Sequence, residues 1–212
     1  MASGNGIGIQ NTSVIDGGRE NDTIQGIGIG GNGIFDGSQG DGVGIDNTGQ
    51  IFTRQGDDQV TGQGIQGDGA LFDRDGVTTG IRNSGLINMA IGNDSILGEG
   101  TRVGIENSGT LTLGQGNDMV VAIGAGAMSG FRGDGEINMG KGDDEVVGFG
   151  DQTVNGGQGI DQATFNFNFQ AVTVSTGANK TITFTIGETA MTFMNTEVFV
   201  FNDQTVDLVD LL

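Results

Sequence analysis

Six aspartates carry the chemistry available to this chain. Five of them, Asp22, Asp58, Asp94, Asp118 and Asp144, fall in one column when the chain is aligned with itself, and each follows an Asn or an Asp. The sixth, Asp161, stands in a similar glycine-rich turn. If the aligned segments stack as coils about 4.8 Å apart, neighbouring carboxylates repel by about 0.9 kcal/mol in water and about 3.5 kcal/mol at an effective dielectric of roughly 20. Ca²⁺ between adjacent turns reverses that sign, and Ca–O distances of roughly 2.3–2.6 Å suit the gap. The competing reading is that the Asn-Asp pairs bond only their own turns and splay their carboxylates into solvent. The candidate metal ligands are Asp22, Asp57, Asp58, Asn93, Asp94, Asn117, Asp118, Gly140, Gly142, Asp143, Asp144, Gly157, Gly159 and Asp161.

These turns are densest between Met139 and Gln162, MGKGDDEVVGFGDQTVNGGQGIDQ. Two glycine-aspartate turns, Gly140 to Val146 and Gly157 to Ala163, flank a looser one, Gly148 to Val154. Their spacing is close to the nonapeptide G-G-x-G-x-D-x-U-x, whose turns bind Ca²⁺ between stacked coils. Glycine permits the tight turn, aspartate supplies a hard anionic oxygen, and the aliphatic residue two places on, Val146, enters a core. On these residues the segment resembles the hemolysin-type (RTX) calcium-binding repeat. The chain's end, Phe165-Asn-Phe-Asn-Phe169 and Thr192 to Asp203, resembles the C-terminal cap of such proteins. The resemblance covers roughly residues 139–212. It implies export by type I secretion machinery through an uncleaved C-terminal signal, here the acidic, aliphatic tail Val206-Asp-Leu-Val-Asp-Leu-Leu212.

The elements that must position the aspartates are written as repeats. Gly8–Gly26, Gly44–Gly62, Gly80–Gly98, Gly104–Ala122 and Gly130–Gly148 align without gaps. One aliphatic column holds Ile9, Ile45, Ile81, Ile105 and Phe131; a second holds Ile15, Ile51, Ile87, Leu111 and Ile137; a third holds Ile24, Val60, Ile96, Val120 and Val146. Asn11, Asn47, Asn83 and Asn107 form a polar column, broken by Gly133, which reads as a structural amide ladder. So much glycine, and no apolar spacing at i, i+3, i+4, argue against helices. Three short apolar positions per unit, separated by Gly/Asn/Asp turns, predict coils of about three short strands. The expected fold is all-β: a parallel β-solenoid (β-roll or β-helix) over 1–163, then a C-terminal antiparallel β cap and secretion region over 164–212. Asn32–Val43 and Asp68–Thr79 are extra residues in the longer units, either an outward loop or an added half-coil.

The boundary follows composition. Of 44 glycines nearly all precede residue 163, while seven of the 12 Phe follow it. Alternation at Phe165, Phe167 and Phe169, at Ile182, Phe184 and Ile186, and at Val198 and Val200 predicts half-buried antiparallel strands, with a turn at Ser175–Lys180.

A net charge of −19 with only eight scattered Lys and Arg excludes nucleic acid as a partner and favours cations. No apolar run approaches the roughly 20 residues of a membrane span, and MASGNGIGIQNTS has no charged n-region or apolar h-region, so it is not expected to act as a cleavable signal. Without His or Cys the usual nucleophile–base arrangements are absent; paired carboxylates remain, but the stacking Tyr and Trp of saccharide sites are missing. Gly26-Ile-Gly-Ile-Gly30 has no following helix to bind phosphate. The expectation is a non-enzymatic, secreted, calcium-binding protein of the cell surface, matrix or filament, or else the folding and secretion module of a larger exoenzyme or adhesin. The first coil begins by Gly8, so an uncapped N-terminal edge is expected to self-associate, head to head or onto the next molecule's cap.

Overall fold

A computed structural model describes residues 5–31, 40–67, 77–126 and 130–212. The repeats take the same three-strand course. The first supplies β1 (Gly6–Asn11), β2 (Val14–Asp16) and β3 (Thr23–Ile29); the second β4 (Gly42–Asn47), β5 (Gln50–Phe52) and β6 (Gln59–Ile65); the third β7 (Thr78–Asn83), β8 (Leu86–Asn88) and β9 (Ser95–Glu99). The fourth supplies β10 (Val103–Asn107), β11 (Thr110–Gln115) and β12 (Met119–Ile123), and the fifth β13 (Phe131–Arg132), β14 (Glu136–Lys141) and β15 (Glu145–Val147). A shorter unit follows, β16 (Gln152–Gln158) and β17 (Gln162–Thr164). The chain ends with β18 (Thr173–Thr176), β19 (Ile182–Ile186), β20 (Thr189–Met194), β21 (Val198–Val200), β22 (Thr205–Asp207) and the single-turn helix α1 (Leu208–Leu211).

Like pairs with like. The first sheet runs β1-β4-β7-β10-β13; the second reaches from β2 to β16 and continues through β20 and β19 to β18; the third reaches from β3 to β17 and continues through β21 to β22. Pairing from unit to unit is parallel and places the three aliphatic columns in register, as at Ile9↔Ile45, Ile51↔Ile87 and Val120↔Val146. The fold is therefore all-β, built on parallel sheets, an arrangement consistent with a β-helix or solenoid-like fold. The repeat itself dictates this. An isolated unit leaves its aliphatic side chains in water, so only stacking removes a continuous apolar column from it, at about 1.5–3 kcal/mol per fully buried aliphatic side chain. Ile45, Ile51, Ile81, Ile87, Ile96, Ile105, Leu111 and Val120 are completely buried. Their counterparts in the first unit, Ile9, Ile15 and Ile24, are only half-buried, because β1, β2 and β3 are the outer strands of their sheets.

The first and third sheets converge so closely that side chains do not fit between them. A Cβ on Gly80 would collide with the backbone of Glu99 and Gly104, and one on Gly28 with that of Val43 and Gly6. This is what Gly26-Ile-Gly-Ile-Gly30 does: alternate glycines in β3 let two backbones touch. Of the two long insertions, residues 32–39 and 68–76 lie outside the described residues. Their last residues belong to sheet strands, with Val43, Thr78 and Thr79 buried in β4 and β7.

Toward the C-terminus the core turns aromatic. Phe149, Phe165, Phe167, Phe184, Phe193, Phe199 and Phe201 pack with ring centroids between 4.9 and 6.0 Å apart. The antiparallel pairs are β18–β19, β19–β20 and β21–β22, but β20 and β21 also extend the parallel stack against β16 and β17. One expected strand differs. Phe165–Phe169 is a bend followed by a short 3₁₀ turn at Phe169–Ala171, and Phe165 and Phe167 stack on each other at 5.3 Å. In β21 it is Phe199 that is fully buried, while Val198 and Val200 face outward. The tail folds back: β22 pairs with β21, and Val206 and Leu208 are buried.

Candidate functional site

The corner between the second and third sheets is where the candidate ligands meet. From the second unit on it is a turn with two left-handed residues, the inner Asp standing two places beyond the second. Gly140 and Gly142 have φ of +118° and +131°, and Gly157 and Gly159 have +114° and +139°. At the register position of Gly140, units two and three force non-glycine residues into the same region, Arg54 at +73° and Ala90 at +71°. After the turn the backbone becomes extended and alternates. The Asp side chain points in, the next residue points out, and the aliphatic residue after it points in: Asp144 and Val146 are each 2% exposed, with Glu145 between them half-buried.

The stacked pairs make two ladders. In the outer one, the side chain of each first residue accepts a backbone N–H from the next unit. Asp57 N–H donates to Asn21 Oδ1 at 2.9 Å, Asn93 N–H to Asp57 Oδ1 at 2.8 Å, Asn117 N–H to Asn93 Oδ1 at 2.8 Å and Asp143 N–H to Asn117 Oδ1 at 3.0 Å. In the inner one the direction reverses. Asp22 N–H donates to Asp58 Oδ1 at 2.7 Å, and the pattern repeats from Asp58 to Asp94, Asp94 to Asp118, Asp118 to Asp144 and Asp144 to Asp161, at 2.8 to 3.0 Å.

From Asp58 to Asp161 each inner carboxylate thus spends one oxygen on a backbone N–H and keeps the other without a partner. The Oδ2 atoms of Asp22, Asp58, Asp94, Asp118, Asp144 and Asp161 are all buried and unbonded. They lie inside the corner: a Cβ on Gly156 would strike Asp161 Oδ2, and one on Gly17 would strike Asp22 Oδ2. The same register position in the units between holds Thr53, Met89, Leu113 and Met139, all buried. An unpartnered buried oxygen costs roughly 1–3 kcal/mol, and more when charged. Burial accordingly pushes Asp118 up to about 7 and Asp94 and Asp161 up to about 6; the backbone N–H bond pulls each the other way, and neighbouring carboxylates add to the rise. Asp144 is raised for the same reasons.

The aspartates are therefore not splayed into solvent. Nor do they cluster: among the described residues no three carboxylates converge on one point. They stand one per unit, so an ion held between two rungs would draw on two carboxylates and complete its shell from backbone carbonyls. A hard oxygen donor set of this kind fits Ca²⁺ better than Zn²⁺ or a soft metal.

Two polar residues had no place in the sequence alignment. Glu197 continues the inner ladder: its Oε2 accepts the Asp161 N–H at 2.9 Å, in the register set by Gln162↔Val198. The signal was present as an acid-x-apolar triplet, Glu197-Val-Phe199 beside Asp161-Gln-Ala163 and Asp144-Glu-Val146. Gln152 completes the amide ladder at the opposite corner. There Asn11 Nδ2 donates to Asn47 Oδ1, Asn47 to Asn83 and Asn83 to Asn107 at 2.7 to 2.8 Å, and Asn107 Nδ2 donates to Gln152 Oε1 at 3.0 Å where Gly133 interrupts the column.

Among the described residues no helix is long and apolar enough to cross a membrane. No protein-family model matches the chain, and no curated protein matches its sequence.

Proposed function

We propose that this chain is a non-catalytic, secreted, calcium-binding protein whose parallel sheets close into a solenoid of the RTX-like kind. Residues 164–212 serve as its cap and secretion region, and its role outside the cell is structural. One observation carries the reading: six buried Asp Oδ2 atoms, one per unit, lack any hydrogen-bond partner in a chain of formal charge −19. Asp22, Asp58, Asp94, Asp118, Asp144 and Asp161 would hold the ions, with the left-handed turns at Gly140, Gly142, Gly157 and Gly159 bringing backbone oxygens close. The bound ion supplies positive charge where the fold has stacked negative charge.

Such a protein is a folding switch. Sites with dissociation constants of roughly 10⁻⁴–10⁻³ M, the range of extracellular modules, stay empty in the cytosol and fill outside. Since the folded form alone assembles the column, binding free energy becomes folding free energy. A second reading has its own support. The half-buried Ile9, Ile15 and Ile24 at the outer strands suit a further coil stacked upon them, whether from a larger exoenzyme or adhesin or from another copy. Circular dichroism and thermal melts in EDTA and in millimolar Ca²⁺ test the main reading. The expected result is loss of much of the β signal in EDTA and its return with Ca²⁺ but far less with Mg²⁺; identical spectra and melting temperatures would refute it.

A further inference from the structure

We infer that Glu197 supplies a carboxylate for a terminal metal site, between the Asp161 rung and its own, and that filling this site fastens the C-terminal strand and helix. The inference rests on the calcium reading and adds a ligand outside the glycine-aspartate turns. Three observations place it. Glu197 Oε2 takes the Asp161 N–H at 2.9 Å, the bond that each Asp of the column makes to the rung before it. Asp161, 2% exposed, keeps its Oδ2 buried without a partner, and a Cβ on Gly156 would strike both this oxygen and the carbonyl of Asn195, two residues before Glu197. Glu197 itself is half-buried with no cation paired to it, the ion pairs among the described residues being Asp16–Arg54 and Arg82–Glu106. Two carboxylates one strand spacing apart, neither neutralised, are the condition met at every earlier interval of the column. The negative charge of Glu197 is among the causes that push Asp161 upward.

What sets this interval apart is its far side. The backbone N–H of Glu197 donates to Asp161 O at 3.0 Å, and its carbonyl accepts the N–H of Leu208 at 2.7 Å. Leu208 opens α1, is buried, and follows β22, whose pairing with β21 sets Val198 opposite Asp207. An ion that draws the Glu197 carboxylate toward Asp161 therefore steadies the peptide that anchors the last strand. The earlier intervals join unit to unit; this one joins the column to the chain's C-terminal segment.

The test compares the full chain with Glu197→Gln and Glu197→Asp, using isothermal titration with CaCl₂ and amide hydrogen exchange over Val206–Leu208. Glutamine keeps the acceptor for the Asp161 N–H and removes the charge, while aspartate restores the group found at the other rungs. The expected result is one Ca²⁺ fewer for Glu197→Gln and at least tenfold faster exchange at Leu208 in saturating Ca²⁺, with Glu197→Asp retaining the ion. Equal stoichiometry and equal Ca²⁺-dependent protection in Glu197→Gln would overturn the terminal site while leaving the calcium reading intact. A parent chain that takes up no Ca²⁺ would overturn both.

Discussion

Two buried polar columns run along the molecule, and they solve the same problem differently. The asparagines at one corner are amides, each carrying both a donor and an acceptor. Asn47 gives its Nδ2 to Asn83 Oδ1 and receives from Asn11 Nδ2, so the column satisfies itself rung by rung, and Gln152 closes its end with Nε2 on the carbonyls of Asn107 and Gly133. The aspartates at the other corner are acceptors only when ionised. From Asp58 onward they borrow one backbone donor each and leave the second oxygen bare. Stacking thus completes an amide column, and it leaves a carboxylate column short of positive charge. The first is a structural spine in any buffer; the second is an incomplete one that a cation or a proton must finish.

The largest effect should come from breaking the self-sufficient column. Asn83→Leu removes the acceptor of Asn47 Nδ2 and the donor to Asn107 Oδ1, both fully buried. At about 1–3 kcal/mol for each group left short, urea unfolding should show a loss of roughly 2–6 kcal/mol. The loss should be the same in Ca²⁺ and in EDTA, since no ion takes part. A loss that appears only in EDTA would mean that the two columns are not separable.

A smaller effect, of opposite sign in the two buffers, should come from pH. The folded Asp118, Asp94 and Asp161 are raised to about 7, 6 and 6, against about 3.9 for an unfolded aspartate. In EDTA the folded state therefore binds more protons than the unfolded one. The stability these three groups contribute is full below pH about 4 and is lost as pH rises through about 6 to 7. In Ca²⁺ the ion needs the deprotonated column, so the Ca²⁺ midpoint should worsen as pH falls through the same window. Melts from pH 4.5 to 8 in each buffer check this, and parallel curves would remove the distinction between proton-filled and calcium-filled forms.

How much of this was legible in the sequence follows the periodicity. The aliphatic, Asn and Asp columns were readable because stacking places like on like, and Ile9↔Ile45↔Ile81 in the alignment became neighbours in space. Where contact departs from the repeat, the sequence is silent. Gln152 reaches Asn107 from 45 residues away and falls in no column of the aligned repeats. The sense of the inner ladder, with every Asp side chain turned inward, depends on strand parity at the corner, and a turn motif does not specify it. Phe165 and Phe167 look like an alternating strand but are gathered by one aromatic cluster. Glycine reads as turn chemistry, yet at Gly28 and Gly80 it marks two sheets in backbone contact, a constraint visible only once both sheets are in place.

The difference between the columns is tested most directly by turning one rung of the second into a member of the first. Asn at position 118 keeps an acceptor for the Asp94 N–H, puts a donor where Oδ2 was bare, and removes one buried charge. For Asp118→Asn, thermal melts at pH 7.5 should show a higher melting temperature than the parent in EDTA, and a smaller increase on adding Ca²⁺. A variant that melts lower than the parent in EDTA and still gains the parent's full increment from Ca²⁺ would contradict the account.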